Sequence, residues 1–168
     1  VRKGVQGHGV RYLADGTLLV PMRNAAGELL NVQRIAPRKP STEEEAGGQR
    51  EKRFLPGGRK SGLWHLVGTV QTPAPDAGRP VLLLAEGYAT GATVHEATGR
   101  PVAVCFDAGN LVNVARELRA LHPSALLLVC GDDDRDTEAR TGKNPGREKA
   151  ATAARAVHAD DAPAGVVF

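Results

Sequence analysis

The stretch Cys130-Gly131-Asp132-Asp133-Asp134-Arg135-Asp136 crowds carboxylates at Asp132, Asp133, Asp134 and Asp136. Neighbouring carboxylates repel, and desolvation raises the free energy of their ionised forms. A cation lying among them relieves both effects, and hard oxygen donors of this kind suit Mg²⁺ or Mn²⁺. Taken alone, the stretch reads equally as a solvated acidic loop that binds nothing. The elements that hold it separate the two readings.

The acidic stretch follows Ala125-Leu126-Leu127-Leu128-Val129, a wholly apolar run that reads as a buried strand. Two similar runs precede it: Val81–Ala85, ending in Glu86-Gly87, and Val102–Phe106, ending in Asp107. Between the runs the pattern predicts helices. One covers residues 88–98 and stops at Gly99-Arg100-Pro101; the other, Asn110–Leu121, carries Leu111, Val114, Ala115, Leu118 and Leu121 on one face. The acidic loop continues for ten residues, Arg135 to Asn144. Pro145 or Gly146 then opens an alanine-rich helix reaching about Ala159, since proline suits a first helical turn. Val166-Val167-Phe168 reads as the start of a fourth strand. Apolar strands separated by helices imply an α/β fold whose mostly parallel sheet is flanked by helices. Ligands of such sheets bind beyond the carboxyl ends of the strands, and here those ends carry Glu86, Asp107 and Asp132. That placement favours a metal site. Asp107 reads as a helix cap, or as a group behind the ligands.

The N-terminal half differs in charge. Residues 1–80 hold 13 Lys and Arg against 7 Asp and Glu, while residues 81–168 hold 9 against 12. A basic half beside an acidic one suits a polyanion gripped on one side and worked on at the other. Residues 1–9 read as loose. Thr17–Arg23, a turn at Asn24-Ala25-Ala26-Gly27, and Glu28–Ile35 read as a β-hairpin. Residues 36–52, with Pro37, Pro40, Glu43-Glu44-Glu45 and Gly47-Gly48, read as a mobile loop. In the segment from Lys52 to Gly62, basic residues flank Pro56-Gly57-Gly58, whose bare backbone could approach a phosphate. Leu63–Val67 reads as a short strand with His65 in a structural role. Residues 68–80, with Pro73, Pro75, Gly78 and Pro80, read as a linker. The expected division is a basic β-rich subdomain over residues 1–80 and the α/β unit over 81–168.

Aromatic residues make up only 4% of the chain, which leaves little for a broad base-stacking platform. No apolar run approaches the roughly 20 residues that span a bilayer, and no signal peptide opens the chain, so a cytoplasmic protein is expected. Cys105 and Cys130 lie in or beside apolar runs and read as buried hydrophobes, not as a disulfide frame or zinc site. Opening on Val1, the chain is expected to be a fragment of a longer protein.

These residues resemble the Toprim domain shared by primases, topoisomerases and some nucleases. That family's signature is a Glu-Gly after the first strand and an Asp-x-Asp pair after a later one. Here Leu84-Ala85-Glu86-Gly87-Tyr88 and Gly131-Asp132-Asp133-Asp134-Arg135 match it, with Gly146 and Ala150 on the small-residue helix that follows. Upstream, Leu18–Asn24, Gly27, Arg34 and Lys52-Arg53-Phe54-Leu55 are similar to the basic subdomain of bacterial DnaG-type primases. The wording of Glu86–Gly91 and Gly131–Asp134 looks closest to primases of conjugative plasmids and phages. The acidic loop is longer than the family's pattern, which leaves Asp133 and Asp136 open as further metal ligands.

The resemblance implies a DNA primase, a nucleotidyltransferase joining ribonucleoside triphosphates on single-stranded DNA with Mg²⁺ or Mn²⁺. It implies Glu86, Asp132 and Asp134 as catalytic and metal-binding residues, with Asp136 as a further ligand. Arg34, Lys52, Arg53, Lys60 and Arg147 would contact nucleotide or nucleic-acid phosphates. Two cysteines cannot build the zinc module of DnaG-type primases, so initiation and partner recruitment are expected from other domains of a parent protein, or from a helicase. A Toprim nuclease and a non-catalytic nucleic-acid-binding module of a mobilisation protein are the alternatives.

Overall fold

Two sheets organise the residues that the computed structural model describes, 4–70 and 78–168. Residues 1–3 of the expected loose opening and 71–77 of the expected linker lie outside the described residues. The first sheet joins β1 (Arg11–Tyr12), β2 (Leu18–Arg23), β3 (Leu29–Ile35) and β4 (Lys52–Phe54), each antiparallel to the next. β2 and β3 form the expected hairpin, closed by Gly27 at φ +80°.

The second sheet contains β5 (His65–Val67), β6 (Val81–Ala85), β7 (Val102–Val104), β8 (Leu126–Cys130) and β9 (Ala164–Val167), in the order β5-β7-β6-β8-β9. All its pairings are parallel except β5 with β7. The helices are α1 (Thr42–Ala46), α2 (Tyr88–Thr98), α3 (Leu111–Leu121), α4 (Arg135–Thr141) and α5 (Pro145–Arg155). This is the expected α/β architecture behind a small antiparallel sheet. β5 falls inside residues 1–80 yet pairs with β7, and Arg23 and Trp64 exchange backbone hydrogen bonds of 2.9 and 3.0 Å where the sheets meet.

Why the parallel strands are apolar throughout is visible in their two-residue period. Leu82 and Leu84 of β6 pack with Val114 and Leu118 of α3 and with Ala150 and Ala153 of α5. Leu83 and Ala85 face the other way, onto Tyr88 and Ala92 of α2 and onto Val20 and Met22 of β2. Fully buried Val and Leu side chains of this kind contribute roughly 1.5–3 kcal/mol each. α2 thus lies on one face of the sheet and α3 and α5 on the other. The chain leaves β6 toward one face and β8 toward the opposite one, so the crevice between their carboxyl ends is a topological switch point.

Four expectations are corrected. Residues 36–52 are not wholly a loop: Ser41 and Glu44 form a capping box that starts α1, and the Arg38 guanidinium grips the Glu44 carboxylate. The acidic loop likewise contains α4, ended by Gly142 in the left-handed region at φ +69°. Neither helix buries a residue, so no apolar period marks either. α5 stops at Arg155 instead of Ala159, because the chain turns back to deliver β9. The Arg119 guanidinium holds that turn, donating to the carbonyls of Val157, Ala162 and Pro163. Finally, the described part of residues 1–9 is docked. Val5 enters the core, the Gln6 N–H donates to Glu96, and the His8 N–H donates to the Tyr88 hydroxyl.

Candidate active site

Ala85 and Cys130 are register partners at the ends of β6 and β8. Glu86 and Asp132 therefore leave the sheet side by side, at the switch point. Glu86 is half-buried, and its carboxyl is pushed above the usual range by burial first and then by the charge of Asp132; Asp107 and Asp134 add to this, and Lys52 opposes it. Lys52 reaches across from β4, its Nζ 3.9 Å from where a Cβ on Gly87 would stand.

The acidic loop is sorted by its contacts. Asp133 turns away: its carboxylate accepts from Arg135 Nε at 2.6 Å and Asn144 Nδ2 at 3.0 Å, and pairs with the Arg147 guanidinium at 3.2 Å. The Arg135 hydrogen bond is the main reason its carboxyl lies below the usual range. Asp134 stays by the start of α5, where Oδ2 accepts the Gly146 N–H at 3.0 Å. The Asp134 N–H donates to Asn144 Oδ1 at 3.2 Å. Gly146 is required by close approach, since a Cβ there would lie 2.1 Å from the Asp132 carbonyl oxygen. Asp136 is exposed in the first turn of α4 and is not among the charges acting on Glu86.

Asp107 caps the 3₁₀ turn Ala108–Asn110, accepting the Asn110 N–H at 3.0 Å. Its other oxygen lies 3.9 Å from Lys60 Nζ, which also sits 4.8 Å from the centre of the Phe54 ring. The donor set fits a hard divalent cation, because Glu86, Asp132 and Asp134 present only oxygens and already repel one another. Among the described residues, no three His, Cys, Asp or Glu side chains converge closely enough to cage an ion unaided.

The predicted basic residues do not gather at one point. Lys52 shares a sheet face with Ile35 and Phe54, which pack toward the second sheet. Arg53 and Arg34 are register partners on the opposite face, in one cross-strand row with Leu19 and Arg11. Arg34, Arg38, Arg50 and Arg53 line a groove of 460 Å³ with Asp15 and Glu51. Arg147 stays beside the acidic loop, paired to Asp133 and stacked 4.8 Å from the Phe168 ring.

Residues 81–168 match the family described as Toprim domain. The chain belongs to the Toprim family. Over 157 residues, 92% of its length, it is 40% identical to a DNA primase TraC of Escherichia coli. A second Escherichia coli protein of that name is 45% identical over 106 residues, 63% of the chain. The chain spans only 14% and 7% of these relatives. The crystal structure of the primase fragment of the bacteriophage T7 primase-helicase protein shares the fold, with a TM-score of 0.58 at 13% identity, covering 99% of this chain and 62% of that one.

Two residues at this site escaped the sequence reading. Asn144, buried, ties Asp133, Asp134 and the Arg147 N–H together; an asparagine just before Pro145 is a legible N-cap signal. Phe106 holds φ +74°, unusual for an aromatic residue, and packs edge-on against Phe54. At Gly58 the bare backbone expected to meet phosphate meets Asn31 instead. The other expectations of this region stand: Cys105 and Cys130 are buried free thiols, with Cys130 pushed up to about 11 by burial, and His65 is buried and donates to the His8 carbonyl.

Proposed function

We propose that the chain is the catalytic core fragment of a DNA primase, working as part of a larger protein in plasmid conjugation or replication of a mobile element. One observation carries this reading: the likeness to DNA primase TraC runs through the small basic sheet as well as the Toprim module, and Lys52 of that sheet stands near enough to Glu86 for its charge to act on that carboxyl. In the proposed reaction a primer 3′-hydroxyl attacks the α-phosphorus of a ribonucleoside triphosphate. The α–β phosphoanhydride bond breaks, and pyrophosphate leaves with that electron pair.

Asp132 and Asp134 would hold Mg²⁺ or Mn²⁺, with Glu86 as a further ligand, and the bound ion would neutralise the phosphates of the triphosphate. Glu86, half-buried at the end of β6, is otherwise the candidate to take the hydroxyl proton. Asp136, outward on α4, is left as an outer ligand at most. Lys52 would steady phosphate charge inside the crevice, and Lys60 would do so at its rim. Arg34 and Arg53, on the opposite face, would grip phosphates of the single-stranded template. This divides labour between a basic unit over residues 1–80 and an acidic one over 81–168, with initiation left to other domains or a helicase.

The test is primer synthesis on single-stranded DNA with labelled ribonucleotides and Mg²⁺ or Mn²⁺. Synthesis by the wild type and its loss in an Asp132→Ala, Asp134→Ala double variant are expected. Full activity in that variant refutes the metal assignment, and DNA cleavage without nucleotides points to a nuclease instead.

A further inference from the structure

The turn from Leu55 to Leu63 joins the two sheets, and two buried asparagines hold it from opposite sides. Asn31 of β3 is 2% exposed. Its Nδ2 donates to the Arg59 carbonyl at 2.9 Å, while its Oδ1 accepts the N–H groups of Leu55 at 3.2 Å and Val32 at 2.7 Å. Asn110, beyond the capping Asp107, is 4% exposed. Its Oδ1 accepts the Gly62 N–H at 2.8 Å, and its Nδ2 donates to the carbonyls of Leu63 and Cys105, each at 2.9 Å. Asn113 adds a hydrogen bond to the Ser61 hydroxyl at 3.0 Å.

A turn rich in glycine and carrying two cations would otherwise sample many conformations. Buried amides with every polar atom paired fix a unique arrangement, and losing one leaves its partners unsatisfied. The tethers bracket Lys60, whose ammonium sits between the Phe54 ring and Asp107 at the rim of the acidic crevice. Gly58 is bare because Asn31 fills the space: a Cβ there would stand 2.4 Å from Asn31 Nδ2.

We propose that Asn31 and Asn110 are positioning residues that hold Lys60 at a fixed place for the polyphosphate of the incoming nucleotide. This rests on the primase reading. One tether comes from β3 of the first sheet and the other from the 3₁₀ turn that follows β7 of the second, so the turn also sets how the basic sheet stands over the carboxylates. A cation whose place is fixed before binding loses less side-chain entropy when phosphate arrives.

The test is the affinity of the 168-residue chain for ATP with Mg²⁺, well below the melting temperature of every variant used. Lys60→Ala should weaken binding about tenfold, the scale of one charge-assisted contact. Asn31→Ala should weaken it several-fold, and so should Gly58→Ala, which displaces the same amide without altering it. Combined with Lys60→Ala, either change should add nothing, because all act through one ammonium. Full additivity, or clamp variants that bind ATP like the wild type, overturns the inference and leaves the primase reading intact. A wild-type chain that binds no ATP overturns both.

Discussion

The acidic crevice and the basic sheet bear their charges on the same element type, yet sequence neighbours behave differently in the two. At the parallel strand ends, Glu86 directly follows Ala85 and Asp132 lies two residues past its partner Cys130, so the register of β6 and β8 delivers both to the same end of the sheet. Within the basic sheet, Lys52 and Arg53 are adjacent in sequence but face opposite ways. Charges beyond the end of a strand converge; charges inside a strand are divided between its faces. The first region gathers its carboxylates at one end of a sheet, and the second divides its cations between an inner face and an outer one.

The strongest way to break this picture is at the crevice. Gly146→Ala drives a Cβ into the Asp132 carbonyl, a backbone group with no flexible end to yield. It should destabilise by about 2 kcal/mol or more by chemical denaturation, overpacking of this kind being costly, and should abolish synthesis. Next comes the contrast within β4. Lys52→Ala should lower turnover at least tenfold with template affinity nearly unchanged. Arg53→Ala should weaken single-stranded DNA binding and make the slope of log affinity against log salt shallower by about 0.7 for each phosphate it no longer neutralises. Equal effects on both readouts would erase the distinction between the faces.

Asp133→Asn should be milder. That carboxylate serves Arg135, Arg147 and Asn144, so synthesis should fall less than about threefold while the Asp132 and Asp134 variants lose it. The smallest effect concerns His65, buried under the N-terminal strap with its proton affinity lowered mainly by desolvation. The unfolded chain then takes up that proton first as pH falls. The stability tied to neutral His65 is complete above about pH 6.5 and is lost as pH falls below it. Thermal melts from about pH 7.5 to about pH 5.5, a range that brackets the ordinary histidine value, should show a fall that His65→Gln reduces.

Much of the crevice was legible in the sequence because its logic is local. Apolar runs announce the strands, and Glu86, Asp107 and Asp132 stand just past them. The face of α3 was legible for the same reason, with Leu111, Val114, Ala115 and Leu118 all buried at helical spacing. α1 and α4 were not, because helices that bury nothing are held by caps and ion pairs alone; the Ser41–Glu44 capping box was nevertheless readable. The split between Lys52 and Arg53 was also open to view once β4 was assigned as a strand. The roles of Asn31 and Asn110 were not, since each bridges segments far apart in sequence.

The proposed cation site lies between Glu86, Asp132 and Asp134, at the switch point between β6 and β8. A crystal of the chain soaked in Mn²⁺ and measured for anomalous scattering tests it most directly. A peak bounded by those three carboxylates, and absent from the Asp132→Ala, Asp134→Ala variant, is the predicted result. A peak at Asp133 or Asp136 instead, or none in the crevice at saturating Mn²⁺, would contradict it.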